Sequence, residues 1–202
     1  MSGVLVGRTA PDFQAAAVLA SGEIVNNFSL FETIANKYAL VFFYPLNFTF
    51  VCPSELIALN SAIDEFKARN VEVIAVSIDS QYSHNAWRNT PIVAGGIGQV
   101  DYTLVADVTH NICRAYGVEH PEAGVAFRGA FIIDAKGVVR AQIVNDLPLG
   151  REISELLRLF DALQFTEVNG EVCPANWSKG KAGMVATPAG VAKFLAENAE
   201  TL

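Results

Sequence analysis

The run Phe42-Phe43-Tyr44-Pro45-Leu46-Asn47-Phe48-Thr49-Phe50-Val51-Cys52-Pro53-Ser54-Glu55 passes from an apolar strand, through a short turn, into a helix with a cysteine in or beside its first turn. Beyond it Leu56, Leu59, Ile63 and Phe66 recur at spacings of three and four, which is one face of an amphipathic helix. Pro53 suits the first helical position, because it has no N–H to leave orphaned, and Glu55 complements the positive end of the helix dipole. A thiol placed there meets unpaired backbone N–H groups that favour an anion. A free cysteine, with a pKa of about 8.5, is only a few per cent thiolate at neutral pH, so a reactive cysteine also needs a cation. Leu46 to Ser54 holds no Lys, Arg or His, and the cation must come from elsewhere in the chain. The competing reading is a buried cysteine that packs as a small hydrophobe and is inert.

Outward from this run, strands and helices alternate. Residues 12–19 and 23–28, split by Ser21-Gly22, predict an N-terminal hairpin. Tyr38 to Tyr44 and Val71 to Ile78 are continuous apolar strands on either side of the Cys52 helix, a crossover unit in a sheet covered on both faces. A helix over Tyr82 to Arg88 stops before Thr90-Pro91, because proline disfavours the helical conformation in the residue ahead of it. Thr103 to Ala106 predicts a short strand, followed by a helical segment around Cys113 closed by Gly117. Phe127 to Ile133 and Val138 to Val144 flank Asp134-Ala135-Lys136-Gly137, a hairpin loop with glycine for a positive φ. Glu152 to Leu163 is amphipathic, with Ile153, Leu156, Leu157, Phe160 and Leu163 on one face. From Val168 to Ala186 the chain reads as an extended arm, and Thr187-Pro188 opens a last helix with Val191, Phe194 and Leu195 as its apolar side. The pattern is an α/β sandwich with a mixed sheet, divided into a 1–165 domain and a 166–202 arm.

With 202 residues, 51% hydrophobic and 17% charged, the chain has enough length for one sizeable core and an appendage. The net charge of −7 and the lack of a basic cluster argue against nucleic acid as a partner. Met1 to Asp12 lacks a basic start followed by an apolar core, and no apolar run reaches the roughly 18 to 20 residues of a membrane span, so a cytoplasmic protein is expected. The three cysteines, Cys52, Cys113 and Cys173, form no C-x-x-C and fit no structural-zinc spacing. His110 and Cys113 could share a helix face, but nothing else completes a metal site, and Cys113 reads as packing. Trp87, Phe28, Phe31, Phe42, Phe43 and Phe66 also read as packing, and His84 and His120 as surface residues. Gly95-Gly96-Ile97-Gly98 is no phosphate loop, since no strand precedes it and no Lys-Ser/Thr follows.

The skeleton Pro45, three residues, Thr49, two residues, Cys52 resembles the peroxidatic-cysteine motif of the typical two-cysteine peroxiredoxins. Gly170-Glu171-Val172-Cys173-Pro174-Ala175-Asn176-Trp177 resembles that family's second motif, around the resolving cysteine. Asn85-Ala86-Trp87, Arg128-Gly129 with Phe131 to Asp134, and Asn145 to Arg151 lie between them, so the resemblance runs from about Val6 into the arm. It implies a thioredoxin-like fold and a thiol peroxidase acting on hydrogen peroxide and organic hydroperoxides, with no cofactor and no metal; peroxynitrite is a further candidate, and the preferred peroxide stays open because such a pocket reads mainly the O–O group. It implies that Cys52 is the nucleophile, that Thr49 hydrogen-bonds thiolate and peroxide, that Pro45 shields the thiolate without a competing N–H, and that Arg128 is the missing cation, held by Glu55 and Arg151. Cys173 of a partner subunit would close an intersubunit disulfide in a homodimer, with dimers forming a decameric ring. Thioredoxin or a flavoprotein alkyl hydroperoxide reductase would reduce that disulfide.

Two other classes stay open from the residues alone. A thioredoxin-type disulfide oxidoreductase would need a second cysteine close to Cys52, and none is there; a holdase or scaffold would act without the thiol. Asn47 stands where the family commonly has Asp, and the tail reads Phe194-Leu195 with no Tyr after Cys173. The second departure predicts a looser tail and resistance of Cys52 to overoxidation.

Overall fold

The computed structural model describes residues 3–201. The chain divides into two compact units, one ending at Ile153 and the other beginning at Ser154. In the first unit β1 (Gln14–Val18) and β2 (Ile24–Ser29) form the N-terminal hairpin, and α1 (Leu30–Thr33) follows. Next come β3 (Tyr38–Phe43), α2 (Cys52–Ser61), α3 (Ile63–Ala68), β4 (Val71–Ser77), α4 (Gln81–Asn89), β5 (Thr103–Ala106), α5 (Asn111–Ala115), β6 (Arg128–Ile133) and β7 (Val139–Asn145). The seven strands make one mixed sheet in the order β2-β1-β5-β4-β3-β6-β7. β3, β4 and β5 are parallel, while β6 runs antiparallel to β3 and pairs with β7. This is the thioredoxin-like α/β arrangement that the resemblance implied.

Alternation along β3 shows how the sheet is covered. Val41 and Phe43 join one apolar cluster with Ile74, Val76, Val105 and Phe131, and Leu40 and Phe42, which point the other way, are equally buried. Both faces are therefore dry, as a parallel centre requires. The register sets Phe42 opposite Ala130, so the end of β3 lies beside the start of β6. Arg128, the first residue of β6, thereby reaches the rim where the chain leaves β3 and turns into α2. The carboxyl end of a parallel strand is the usual place for chemistry in such a sheet.

Four expectations are corrected. The helix after Cys52 is not continuous: Ala62 (φ −99°, ψ 5°) separates α2 from α3, its N–H shared between the carbonyls of Ala58 and Leu59. Ser61 Oγ bonds back to the carbonyl of Ile57, which competes with helix continuation. Leu56, Leu59, Ile63 and Phe66 nonetheless all stay buried. His84 is no surface residue: it is fully buried with Trp87 and Arg88 on the inner face of α4. In the second unit α6 (Ile153–Asn169) continues past Leu163, so the arm begins later than Val168. On α7 (Pro188–Asn198) only Phe194 is buried, whereas Val191 and Leu195 are exposed.

Other expectations are met. Thr187 caps α7 by accepting from Gly190 N–H, and Gly137 closes the β6–β7 loop at φ 78°. Gly96 is required by space, since a Cβ there would fall 1.9 Å from the carbonyl oxygen of Thr90. No helix among the described residues is long and apolar enough to cross a membrane.

Candidate active site

Cys52 is the first residue of α2 and Pro53 the second, so the thiol sits at the helix start, as the sequence predicted to within a residue. The sulfur is fully buried. Thr49 Oγ1 lies 2.8 Å from the carbonyl oxygen of Leu46 and 3.0 Å from Cys52 Sγ. Its one proton serves one acceptor at a time. It can donate to Leu46 while a thiol S–H donates to it, and turn to the sulfur once that is a thiolate.

Arg128 meets the same sulfur from the sheet side. Its Nη1 lies 3.5 Å from Cys52 Sγ and donates to Glu55 Oε2 at 2.7 Å, while its Nε donates to the carbonyl of Leu147 at 2.6 Å. Arg151 takes the other side of Glu55: its backbone N and Nε donate to Oε1 at 2.8 and 2.9 Å, and its Nη2 to Oε2 at 3.1 Å. Arg151 Nη1 donates to the carbonyl of Gly129, and the guanidinium lies over the Phe42 ring, 3.3 Å from its centroid. Arg128, Arg151 and Glu55 are all buried, so the alternative of surface arginines fails. Burial pushes the Glu55 carboxyl up, but the hydrogen bonds and charge of Arg151, with the charge of Arg128, outweigh it and hold Glu55 below the usual range. Burial pushes Arg151 down to about 10, with Glu55 opposing.

Two guanidiniums share the Glu55 carboxylate in a dry site, which leaves an excess of positive charge in this three-residue cluster, and Arg128 carries it to within reach of Cys52 Sγ. An unpaired buried charge is costly, so the cluster favours an anion there. A cavity of about 590 Å³ opens onto this cluster, walled by Pro45, Leu46, Val125, Leu147 and Pro148. Thr49 and Arg128 supply its polar side chains, and they are the two that touch the sulfur. A small polar molecule that reaches the end of this apolar funnel meets a hydroxyl and a guanidinium beside a nucleophile.

The turn ahead of Cys52 is fixed from α4 and from Asp79 just ahead of it. Asn47 N–H donates to Asp79, Asn47 Nδ2 to Ser83 Oγ at 2.9 Å, and Tyr44 Oη to Asn47 Oδ1 at 2.9 Å. Asn47 therefore anchors the turn through α4 and makes no hydrogen bond to the sulfur. His84 Nε2 faces the carbonyl of Val105 at 3.1 Å, so Nε2 carries the proton and Nδ1 accepts from Tyr44 or Asn47. Burial, with Asp79 opposing, pushes His84 down to about 4. Phe48 adopts φ 53°, strained for a bulky residue, with its ring 5.8 Å from that of Trp87.

Within the second unit Cys173 is half-buried, its thiol facing the carbonyl of Ala162 at 3.7 Å. Burial raises its pKa, and nearby Arg158 opposes the rise. Cys113 is buried, and its thiol is pushed up to about 12 by burial and by Asp107, which makes it a poor nucleophile. Contrary to the sequence reading, a third group joins His110 and Cys113, namely Glu119. The sequence also missed Phe42 as the platform for Arg151 and the carbonyls of Leu46, Gly129 and Leu147. Carbonyls carry no residue-type signal.

The profile of the AhpC/TSA family matches residues 6–142, and that of the C-terminal domain of 1-Cys peroxiredoxin matches residues 162–196. Alkyl hydroperoxide reductase C of Buchnera aphidicola is 52% identical over 95% of this chain and 96% of its own length. Mouse peroxiredoxin-2 is 49% identical over 87% of each chain. The crystal structure of reduced 2-Cys peroxiredoxin from Plasmodium vivax superposes with a TM-score of 0.92 at 46% identity, covering 96% of this chain and 99% of that one.

Proposed function

The chain belongs to the AhpC/TSA family and is a thiol-dependent peroxidase of the two-cysteine peroxiredoxin type, and from that premise we propose that Cys52 is its peroxidatic nucleophile and Cys173 its resolving thiol. The observation that carries this reading is the buried charge imbalance beside Cys52 Sγ. The thiolate attacks one peroxide oxygen in line with the O–O bond. An S–O bond forms, the O–O bond breaks, sulfur is oxidised by two electrons, and the departing oxygen takes a proton and leaves as water or an alcohol. Arg128 and Thr49 donate to the oxygen that gains charge, in a cavity whose apolar walls strengthen both contacts. Pro45 lines the same wall without an N–H to compete for the sulfur. Glu55 and Arg151 do not touch the sulfur; they hold Arg128 in place.

Cys52 sulfenic acid is then attacked by Cys173 of the partner subunit, which forms a disulfide and releases water. The expected assembly is a homodimer that builds a decameric ring, and the expected electron donor is thioredoxin or a flavoprotein reductase. A small, odd set of cysteines suits action in the cytoplasm. In this reading residues 1–165 are the peroxidase part and 166–202 the resolving part.

Peroxide consumption with dithiothreitol as donor, run on wild type, Cys52→Ser and Cys173→Ser beside non-reducing gels, tests the roles. Activity lost only in Cys52→Ser, with a disulfide dimer that needs both cysteines, is the expected result. Consumption that survives Cys52→Ser overturns it.

A further inference from the structure

We propose that His110, Cys113 and Glu119 form a binding site for a divalent transition-metal ion of zinc type, which the peroxidase reaction does not use. One ligand atom from each lies within 4.8 Å of the others, as three ligands around one ion require. The donor set is an imidazole, a thiolate and a carboxylate, all good zinc ligands. A site with three protein ligands leaves a fourth position for water.

The frame that holds them is fixed from both ends. The Asp107 carboxylate accepts from the backbone N–H groups of Ile112 and Cys113 at 3.0 and 2.8 Å, which pins the start of α5. The carbonyl of Cys113 accepts from Val118 N–H at 2.9 Å, and Glu119 pairs with Ala126 in an isolated bridge. His110 holds a left-handed backbone at φ 61°. The buried Asp107 carboxylate adds negative charge behind the site.

His110 Nδ1 lies 2.9 Å from Glu119 Oε1, and Arg114 closes the carboxylate with bonds of 2.8 and 2.9 Å. Arg114 thus stands where a cation is wanted. Its side chain is more than half exposed, so the guanidinium can swing into water, and an ion must displace this two-bond pair to reach Glu119. On binding, the Cys113 thiol gives its proton to solvent as the sulfur–metal bond forms, and no electrons are transferred.

The test uses full-length protein carrying Cys52→Ser and Cys173→Ser, which removes the other two thiols as competing ligands, titrated with Co²⁺ as a coloured substitute for Zn²⁺. The expected result is one equivalent bound with a thiolate-to-cobalt absorption in the near ultraviolet, displaced by Zn²⁺. Cys113→Ser should abolish the absorption, Glu119→Gln should weaken binding about tenfold or more, and Arg114→Ala should tighten it several-fold. Absence of the thiolate band, its survival in Cys113→Ser, or unchanged affinity in Glu119→Gln each overturns the site. Glu119 is less buried than Cys113, so its variant keeps the test valid should Cys113→Ser fold poorly.

Discussion

Beside Cys52 the guanidinium of Arg128 and the hydroxyl of Thr49 approach the sulfur from two sides, at 3.5 and 3.0 Å. On the proposed mechanism each is a donor aimed at developing charge in a dry site, and loss of one such donor costs about 10²–10³ in kcat. Thr49→Val is therefore expected to slow peroxide reduction by that factor, while Thr49→Ser keeps most of it; competition kinetics against a second peroxidase measures both. Equal rates for Val and Ser would remove the hydroxyl from the mechanism. That these side chains gather beside Cys52 was legible in the sequence only through the motif resemblance, which rests on side-chain type at fixed spacing. The carbonyls of Leu46, Gly129 and Leu147 were not, since the backbone is the same in every residue. Phe42 was legible only as an apolar residue, and its role under Arg151 depends on the register of β3 against β6.

Among the elements, β5 and the β6–β7 hairpin matched their expected positions because apolar runs and a glycine turn mark both ends. α4 also lies where expected, within a residue at each end, but its inner face was not legible, because it includes His84 and Arg88, which hydropathy assigns to solvent. That burial has a pH signature. The folded state favours neutral His84, with its pKa lowered from 6.5 to about 4, whereas the unfolded chain takes up a proton near 6.5. The unfolded state thus binds more protons between these values. The stabilisation is present above pH 6.5 and is lost as pH falls toward 4, by an amount on the order of 3 kcal/mol. Urea denaturation of wild type and His84→Gln at pH 7 and pH 4.5 measures it: the variant should lose less stability on acidification. Equal losses would mean that His84 already titrates normally in the fold.

For the molecule as a whole, Cys52 is fully buried, so on the proposed mechanism the disulfide forms only when the Cys52 turn opens. A chain without tyrosine after Cys173, and with Leu195 exposed on α7, lacks the aromatic hydroxyl that could tie down its tail. We expect disulfide formation to outrun a second peroxide, leaving little sulfinic acid on Cys52 over graded peroxide doses. Mass spectrometry of Cys52 during turnover decides it, and ready accumulation of the sulfinate would refute it.

Glu55 gives that opening a fixed length. It is the fourth residue of α2, and two buried arginines grip it through its carboxylate, so unwinding from the helix start meets a stop three residues in. Those three residues rise about 1.5 Å each as helix and about 3.4 Å each when extended, so the leash behind the sulfur grows by about 6 Å. On the proposed mechanism the ion pairs that build the pocket would thereby also ration how far its sulfur travels to find another, and the same grip would provide the seat to which it returns after reduction.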